Sequence, residues 1–313
     1  MRAIGVTEYG GPDVLRVLDL RAEPLGPGQV RVRVTAAAVN PTDTGIRAGL
    51  RSTTGHPADG ADVPGMDVAG VVTEIGDGVR DDLTPGTRVM GIVVPSGAHG
   101  GYREDLVLPE RSATRVPAGA SDVEAATLPM NGLTARQALD LMELGPGQVL
   151  AVTGAAGAFG GYVIQLAKAH GLTVVADASP SDEALVRDLG ADVVVQRGDD
   201  VAERIREQYP DGVDGLADGA LLDAAALPAV RDGGVVTTVR GYAGDGQRGL
   251  RVRPVIVRKY AEDLERLDGL RELVEQGAVT LRVADTYPAD RAAEAHHRLE
   301  AGGTRGRLVL RFE

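Results

Sequence analysis

Residues 149–177 constrain the fold of this chain more than any other stretch. An apolar β-branched run, Val149 to Thr153, is followed by the glycine-rich segment GAAGAFG, an apolar helical segment that stops at Gly171, and a second short apolar run. This order predicts one strand–turn–helix–strand unit. Glycine lets such a turn close tightly, and the helix N-terminus then presents backbone N–H groups and its positive dipole end to an anion. The segment therefore predicts a dinucleotide pyrophosphate site, with a purely structural glycine turn as the alternative.

The pattern of the second half of the chain extends this unit into a larger sheet. From about Ser121 onward, helix-length Ala/Leu segments alternate with β runs. The predicted strands are 149–153, 172–176, 192–196, 213–216 and 234–239, and the predicted helices are 182–189, 200–208, 220–230 and 258–276. Such alternation is typical of an α/β fold with a doubly wound parallel sheet. We therefore predict one domain over residues 121–276.

The first 120 residues have a different pattern, with many short strands separated by turns. Val30 to Val34 alternates strictly between Val and Arg, as a half-buried strand does, and residues 68–75 and 88–94 are further strand candidates. Gly-Pro and Pro-Gly pairs separate them. We predict a barrel-like β domain over residues 1–120, to which the short strands and the one helix of residues 277–313 return.

Composition excludes several function classes. The chain has 33 Lys and Arg against 45 Asp and Glu, a net charge of −12, and no basic patch, which argues against nucleic acid as a partner. With no cysteine it has no disulfide, thiolate zinc site or cysteine nucleophile. The five histidines lack the HxxxH and HExxH spacings of helical metal sites. No apolar run is long enough to span a membrane, so we expect a cytoplasmic protein without a membrane partner.

Several further stretches, taken together, resemble the medium-chain dehydrogenase/reductase superfamily, and within it the zinc-independent, zeta-crystallin-like quinone oxidoreductases. The matching stretches, in chain order, are AAVNPTD (37–43), VPGMDVAG (63–70), EIGDGV (74–79), PGTRV (85–89), GGYRE (100–104), LPMNGLTA (128–135), the glycine-rich turn with QLAK (165–168), LGAD (189–192) and AGGTRGRLVL (301–310). The resemblance covers essentially the whole chain. It implies a GroES-like β-barrel domain interrupted by a Rossmann domain.

The resemblance also implies that no metal is bound. In zinc-dependent relatives, a Cys stands at the place of Asn40, a His at the place of Met66 and a second Cys near Met130. None of these residues is a zinc ligand here.

The reaction implied by the resemblance is hydride transfer from a nicotinamide cofactor to a quinone or an α,β-unsaturated carbonyl. Asn40 holds the place of the family Asn beside the nicotinamide, where its amide can donate and accept; the alternative is a turn residue before Pro41. Thr42 stands where zinc-dependent relatives keep a hydroxyl proton relay. Asp43 is either a base or a loop anchor acting through Arg47. Gly45 replaces a Tyr found in some bacterial members, which leaves the choice between quinone and enone open.

The resemblance favours NADPH as the cofactor, with NADH as the alternative. The residues predicted to bind it are Asn40, Thr134, Gly154, Ala155, Ala156, Gly157, Ala158, Phe159, Asp177, Ser179 and Arg197. Thr134 can also be a helix-start residue, and Arg197 a solvated loop charge. Asp177 falls one residue before the place where NAD enzymes carry their ribose-binding acid. Glu183 stands where the family often has Lys, which weakens phosphate binding.

Relatives dimerise through the edges of their Rossmann sheets. The corresponding edge strand here is expected at residues 249–257, where Leu250, Val252, Val255 and Ile256 supply apolar surface, so we predict a homodimer. A nucleotide-binding structural or regulatory protein with little turnover is the alternative to a reductase.

Overall fold

The computed structural model describes residues 1–50, 52, 54–55, 57 and 60–313, which divide into two compact units. Unit 1 comprises Met1–Met130, Arg258–Glu275 and Leu281–Glu313, and unit 2 comprises Asn131–Val257 and Gln276–Thr280.

The two-part division differs from the predicted domain bounds in three segments. Residues 121–130, predicted to belong to the second domain, group with unit 1, and residues 277–280, predicted to belong to the first, group with unit 2. Residues 258–275, predicted to belong to the second domain, group with unit 1. This segment contacts a strand of unit 1 through Asp268, whose Oδ1 accepts a hydrogen bond from the Thr114 hydroxyl at 2.6 Å.

Unit 1 is built mainly of β-strands. Its strands are β1 (Arg2–Gly5), β2 (Arg16–Asp19), β3 (Gln29–Val39), β4 (Asp67–Ile75), β5 (Arg88–Ile92), β6 (Asp105–Pro109), β7 (Ala113–Arg115), β14 (Val283–Pro288) and β15 (Arg307–Arg311). Its helices are α1 (Pro41–Arg47), α2 (Asp122–Ala125), α7 (Leu264–Glu275) and α8 (Ala292–Glu300). The strands β1 and β2 form an antiparallel pair, and the others form a sheet of order β14-β15-β3-β4-β5-β7, with β6 also paired to β3.

The long strand β3 explains how unit 1 is organised. Val30, Val32 and Val34 are buried while Arg31 and Arg33 alternate with them, which confirms the predicted half-buried strand. The end of β3 pairs antiparallel with β15, so the segment that contains residues 307–311 joins the sheet formed by the first 120 residues.

Unit 2 contains a six-stranded parallel sheet. Its strands are β8 (Val149–Thr153), β9 (Thr173–Ala178), β10 (Val193–Gln196), β11 (Val213–Asp218), β12 (Val230–Thr238) and β13 (Arg251–Pro254), in the order β10-β9-β8-β11-β12-β13. Its helices are α4 (Ala158–Ala169), α5 (Glu183–Asp188) and α6 (Val201–Gln208), and α3 (Pro129–Met142) belongs to it from Asn131 onward. All five neighbouring strand pairs are parallel, which confirms the predicted doubly wound sheet.

Three local predictions need correction. Residues 220–230 form a 3-10 helix only over Asp223–Ala229, because Leu221 and Asp223 take positive φ angles and Pro228 lacks an N–H donor. The predicted helix 258–276 consists of a short 3-10 segment and then α7. Leu250 lies in the core of unit 2 and not on its edge, because it packs with the residues around Val230 and Val236.

Candidate active site

The glycine-rich turn lies at the carboxyl end of β8, a central strand of the parallel sheet, and leads directly into α4. Gly157 is the N-cap of this 12-residue helix, with extended backbone angles of φ −69° and ψ 171°. The first N–H groups of a helix have no partner within it, and they carry the positive end of its dipole. The structure thus places the start of a helix at the glycine-rich turn, and anion binding by residues 154–159 stays a prediction.

The three glycines of the turn are present for different reasons. Gly154 has φ +66°, and a Cβ there would lie 2.8 Å from the carbonyl carbon of Gly219. A Cβ at Gly160 would lie 2.5 Å from the carbonyl oxygen of Gly154, so this glycine allows the helix to approach the turn. By contrast, a Cβ at Gly157 would meet only that same oxygen, at 3.1 Å. Packing within the protein therefore requires Gly154 and Gly160 far more than Gly157.

Asp177 lies near the end of β9, and its side chain contacts the backbone of the glycine-rich turn. Its Oδ1 accepts a hydrogen bond from the backbone N–H of Ala155 at 3.0 Å, and the residue is buried. Burial raises the pKa of this carboxyl, although the Ala155 N–H opposes the shift. The observed contact of Asp177 is thus with the turn itself.

Ser179 and Arg197, the other residues predicted to contact the ribose side of the cofactor, follow the neighbouring strands β9 and β10. The Ser179 hydroxyl lies 2.9 Å from that of Ser181 and donates to Asp182 Oδ2 at 2.6 Å. Arg197 is exposed, and its backbone N–H donates to the carbonyl of Ala178 at 2.9 Å. The structure therefore brings two serine hydroxyls and one arginine to the same edge of the sheet, beside an acidic residue.

A carboxylate that sequence reasoning missed holds the loop after β11 against the turn. Asp218 Oδ1 accepts from the Thr153 hydroxyl at 2.7 Å, and its Oδ2 accepts from the N–H of Asp223 at 2.8 Å. The ring of Phe159, predicted to lie at the cofactor, packs against Gly219 in this loop. An acidic residue at the end of a strand can be recognised in a sequence as a candidate site residue. The hydrogen bond of Asp218 to Thr153 could not be predicted, because Thr153 lies in a distant segment.

In unit 1, Asn40 is fully buried at the N-cap of α1. Its side-chain Nδ2 donates to Asp67 Oδ2 at 2.7 Å, and its backbone N–H donates to Asp43 Oδ2 at 2.8 Å. Two buried carboxyls therefore hold this one residue, one through its side chain and one through its main chain. Thr42, in the first turn of α1, is half-buried, as is Thr134 within α3.

Asp67 is the second residue that the sequence did not single out. It starts β4, is fully buried, and also accepts a hydrogen bond at Oδ1 from the backbone N–H of Met130 at 2.5 Å. Burial raises the pKa of Asp67 to about 7, against the opposing effects of its hydrogen bonds and of the Arg307 charge. Asp67 thus bonds Asn40 and Met130 and directly follows Met66, so it lies among the places at or near which the resemblance puts zinc ligands in other members.

Asp43 is a loop anchor, but not through Arg47. Its Oδ1 accepts from the N–H of Gly65 at 3.0 Å, and its Oδ2 lies 3.2 Å from the Tyr102 hydroxyl, which donates to it. Arg47 instead bonds the carbonyl of Gly10 and the carboxylate of Glu300. Burial raises the pKa of Asp43 to about 6. The expected partner is wrong because helix α1 directs residues 43 and 47 to different neighbours.

The Tyr102 hydroxyl extends this buried network to α8. It lies 3.2 Å from Nε2 of His296, which has no exposed surface. Burial, and then the positive charge of Arg47, lower the pKa of His296 to about 3, so this imidazole is neutral at physiological pH. Burial also raises the pKa of Tyr102 well above its usual range.

Among residues 1–50, 52, 54–55, 57 and 60–313, no group of three or more His, Cys, Asp or Glu side chains is arranged to hold a metal ion. In the same part of the chain, no helix combines the length and apolarity that crossing a membrane requires.

Comparison with known families finds two matching stretches, one in each half of the chain. Residues 26–118 match the family described as alcohol dehydrogenase GroES-like domain, and residues 189–310 match the family described as zinc-binding dehydrogenase. The first match confirms the GroES-like part of the predicted fold.

Individual relatives align over nearly the whole chain. It is 32% identical over 320 residues to the chloroplastic NADPH-dependent alkenal/one oxidoreductase of Arabidopsis thaliana, covering 99% of this chain and 79% of the relative. It is 29% identical over 333 residues to the quinone oxidoreductase of Pseudomonas aeruginosa, covering 99% of each. Among solved structures, a mycobacterial protein in complex with NADPH superimposes with a TM-score of 0.86 at 28% identity, covering 100% of both chains.

Proposed function

Because the chain belongs to the quinone oxidoreductase group of the medium-chain dehydrogenase/reductase superfamily, we propose that it transfers hydride from NADPH to a quinone or an α,β-unsaturated carbonyl without zinc. The observation that carries this proposal is the glycine-rich turn at the carboxyl end of β8. It combines a helix N-terminus with a glycine, Gly157, that packing within the protein does not demand.

The chain's own residues supply binding and orientation. When bound, the nicotinamide supplies the hydride, which goes to a conjugated carbon of the acceptor. That transfer leaves an enolate or phenolate oxygen, which a hydrogen-bond donor stabilises. We assign this donor role, or the alignment of the carboxamide, to the Asn40 amide, and a role in proton delivery to the Thr42 hydroxyl. Asn40 has no exposed surface, so either role requires that a bound ligand reaches its amide.

Zinc independence is proposed from the chemistry of three positions. Asn40 donates to Asp67, and the remaining two positions are the thioethers Met66 and Met130. Thioethers are poor ligands for Zn²⁺ compared with thiolate and imidazole. The environment of Asp67 therefore suits hydrogen bonding and not metal coordination.

We propose NADPH over NADH because of where Asp177 points. Its buried carboxylate accepts from the Ala155 N–H, so the turn already engages one of the oxygens that an NAD ribose would need. Ser179 and Arg197 offer hydroxyl and guanidinium donors to a 2′-phosphate. The relative from Arabidopsis is NADPH-dependent by name, which supports the same choice.

Arg197→Ala tests the cofactor assignment, with Arg187→Ala as the matched control. Arg187 is also an exposed arginine of unit 2, but it pairs with Glu183 on α5. Loss of one charge-assisted contact predicts a KM for NADPH raised by roughly 10-fold or more, with the KM for NADH unchanged. Equal effects on both cofactors, or equal effects of both variants, would refute the role of Arg197.

The proposed activity is tested by NADPH oxidation with a panel of simple quinones and enones. Saturable turnover with at least one class is expected. Binding of NADPH without turnover on any of them would favour the alternative of a nucleotide-binding protein. Gly45 leaves room at the predicted acceptor side, since a Cβ there would meet only Leu50 Cδ1 at 3.5 Å, so both classes belong in the panel.

We further propose a homodimer in the cytoplasm. The strand β13 ends the six-stranded sheet and pairs with β12 on one side. Ile256, just beyond it, is 38% exposed. Pairing of this edge strand with the same strand of a second copy is the simplest way to cover its open hydrogen-bonding groups and its apolar surface.

A further inference from the structure

Asp67 connects two parts of unit 1 that the sequence keeps far apart. Its Oδ2 accepts from the Asn40 side chain at 2.7 Å, and its Oδ1 accepts from the Met130 backbone N–H at 2.5 Å. Asp67 and Asn40 have no exposed surface, so water does not compete for these bonds.

The chemistry of the two oxygens fixes which way the Asn40 amide faces. A backbone N–H only donates, so Asp67 must offer Met130 an acceptor. Above its pKa of about 7, Asp67 is ionised and both of its oxygens only accept, so the Asn40 carboxamide donates from its NH2 group to Oδ2, as the 2.7 Å contact between Nδ2 and Oδ2 shows. The amide oxygen of Asn40 is then directed away from Asp67.

The main chain of Asn40 is held separately. Its backbone N–H donates to Asp43, which is anchored in turn by Gly65 and Tyr102. Asp43 therefore fixes where residue 40 lies, whereas Asp67 fixes how its amide is rotated.

We propose that Asp67 is a positioning residue of the reductase: it fixes the orientation of the Asn40 amide, and thereby decides which end of that amide faces a bound nicotinamide or acceptor. The inference rests on the proposed function, because the amide matters to turnover only if Asn40 contacts a ligand. Nothing in the sequence marks Asp67 for this role, since it lies in an otherwise apolar stretch, MDVAG.

The decisive variant is Asp67→Asn. It preserves shape and leaves an oxygen for the Met130 N–H, but it turns an NH2 group towards Asn40. Two NH2 groups would then oppose each other until the Asn40 amide rotates by half a turn. If orientation matters, kcat should fall roughly 5- to 30-fold, as for loss of the Asn40 amide itself.

A double-mutant cycle in kcat separates positioning from a merely structural role. If Asp67 acts through Asn40, the double variant Asn40→Ala/Asp67→Asn should be no slower than Asn40→Ala alone. Effects that multiply, or wild-type kcat for Asp67→Asn, would overturn the inference. The exchanged pair Asn40→Asp/Asp67→Asn is the matched control. It restores a hydrogen bond between the two side chains, so the protein should fold. It leaves no amide at residue 40, so its kcat should remain low.

A second readout does not depend on activity. In protein labelled with 15N-asparagine, the Asn40 side-chain amide, identified by its loss in Asn40→Ala, should exchange slowly with solvent. Its resonance should shift strongly in Asp67→Asn. An unshifted resonance in that variant overturns the inference. A fast-exchanging Asn40 amide in the wild type overturns it as well, and this second measurement applies even if Asp67→Asn does not fold. If the wild type has no NADPH-dependent turnover, the proposed function fails, while this measurement still decides whether Asp67 orients Asn40.

Discussion

Replacing Gly157 with Asp should separate cofactor binding from folding, because the structure predicts opposite effects on the two. Gly157 is the N-cap of α4, and its φ of −69° is open to any L-residue. Its Cβ would lie 3.1 Å from the Gly154 carbonyl oxygen, which a small shift relieves. Asp is among the best N-cap residues, since its carboxylate accepts from the N–H groups of the first turn. The free energy of unfolding should therefore stay the same or rise slightly.

The same carboxylate should exclude a pyrophosphate. It would occupy the N–H groups that face the anion and add a negative charge within about 5 Å of the phosphates, worth on the order of 1–3 kcal/mol of repulsion per phosphate charge. With two phosphates, binding should weaken roughly 30-fold or more, since 1.4 kcal/mol corresponds to about a factor of ten.

The assay is NADPH titration by fluorescence together with thermal unfolding, on Gly157→Asp, Gly157→Ala and Gly160→Ala. Gly157→Ala controls for the added Cβ and should bind more tightly than the Asp variant. Gly160→Ala should lower Tm, because its Cβ would lie 2.5 Å from the Gly154 carbonyl oxygen. A Gly157→Asp protein that is folded and binds NADPH within about threefold of the wild type would refute the assignment of the turn to the pyrophosphate.

Three other predictions follow from the remaining sites. Purified protein should contain no stoichiometric zinc and keep its activity in the presence of a chelator; one zinc per chain by elemental analysis would refute zinc independence. Burial raises the pKa of Asp67 to about 7 and that of Asp43 to about 6. The folded state therefore binds these two protons more tightly than the unfolded state does. Both groups stabilise the fold most below about pH 4, and this stabilisation is lost as the pH rises to about 7. Relative to the wild type, the free energy of unfolding of Asp67→Asn in urea should therefore increase from about pH 4.5 to about pH 8, by on the order of 2–4 kcal/mol, and a pH-independent difference would contradict the raised pKa. Light scattering at micromolar concentration should give the mass of a dimer, whereas a monomer mass would count against pairing at β13.

The parts of the fold that depend on local patterns could be predicted from the sequence. The glycine-rich turn between β8 and α4 was predictable because glycines, a β-branched run and an apolar helix follow each other within 30 residues. The capping box that Ser121 and Glu124 form at the start of α2 is a local feature of the same kind, since its two residues stand three positions apart.

The features missed by sequence reasoning depend on contacts between distant segments. Asp67 bonds Met130, and Asp218 bonds Thr153, across separations of more than 60 residues. Residue type alone does not indicate which way a buried carboxyl points. Asp177 illustrates this, since nothing in its spacing along the chain indicates that its carboxyl accepts from the N–H of Ala155.

Arg47 shows the same limit for charged pairs. Its spacing from Asp43 within α1 suggests an ion pair, but tertiary partners on α8 and at Gly10 take its guanidinium instead. Where a polar group is buried, the partner it finds is set by packing, and packing is not encoded in spacing along one helix.

The most direct test of the central claim is to follow the hydride itself. With NADPH deuterated at C4 of the nicotinamide and a simple enone as acceptor, mass spectrometry and NMR of the product should show one deuterium at the β-carbon. NADPH consumption should equal the product formed. Product without deuterium at that carbon, or no NADPH-dependent product from any enone or quinone tested, would contradict the account of this chain as a hydride-transferring reductase.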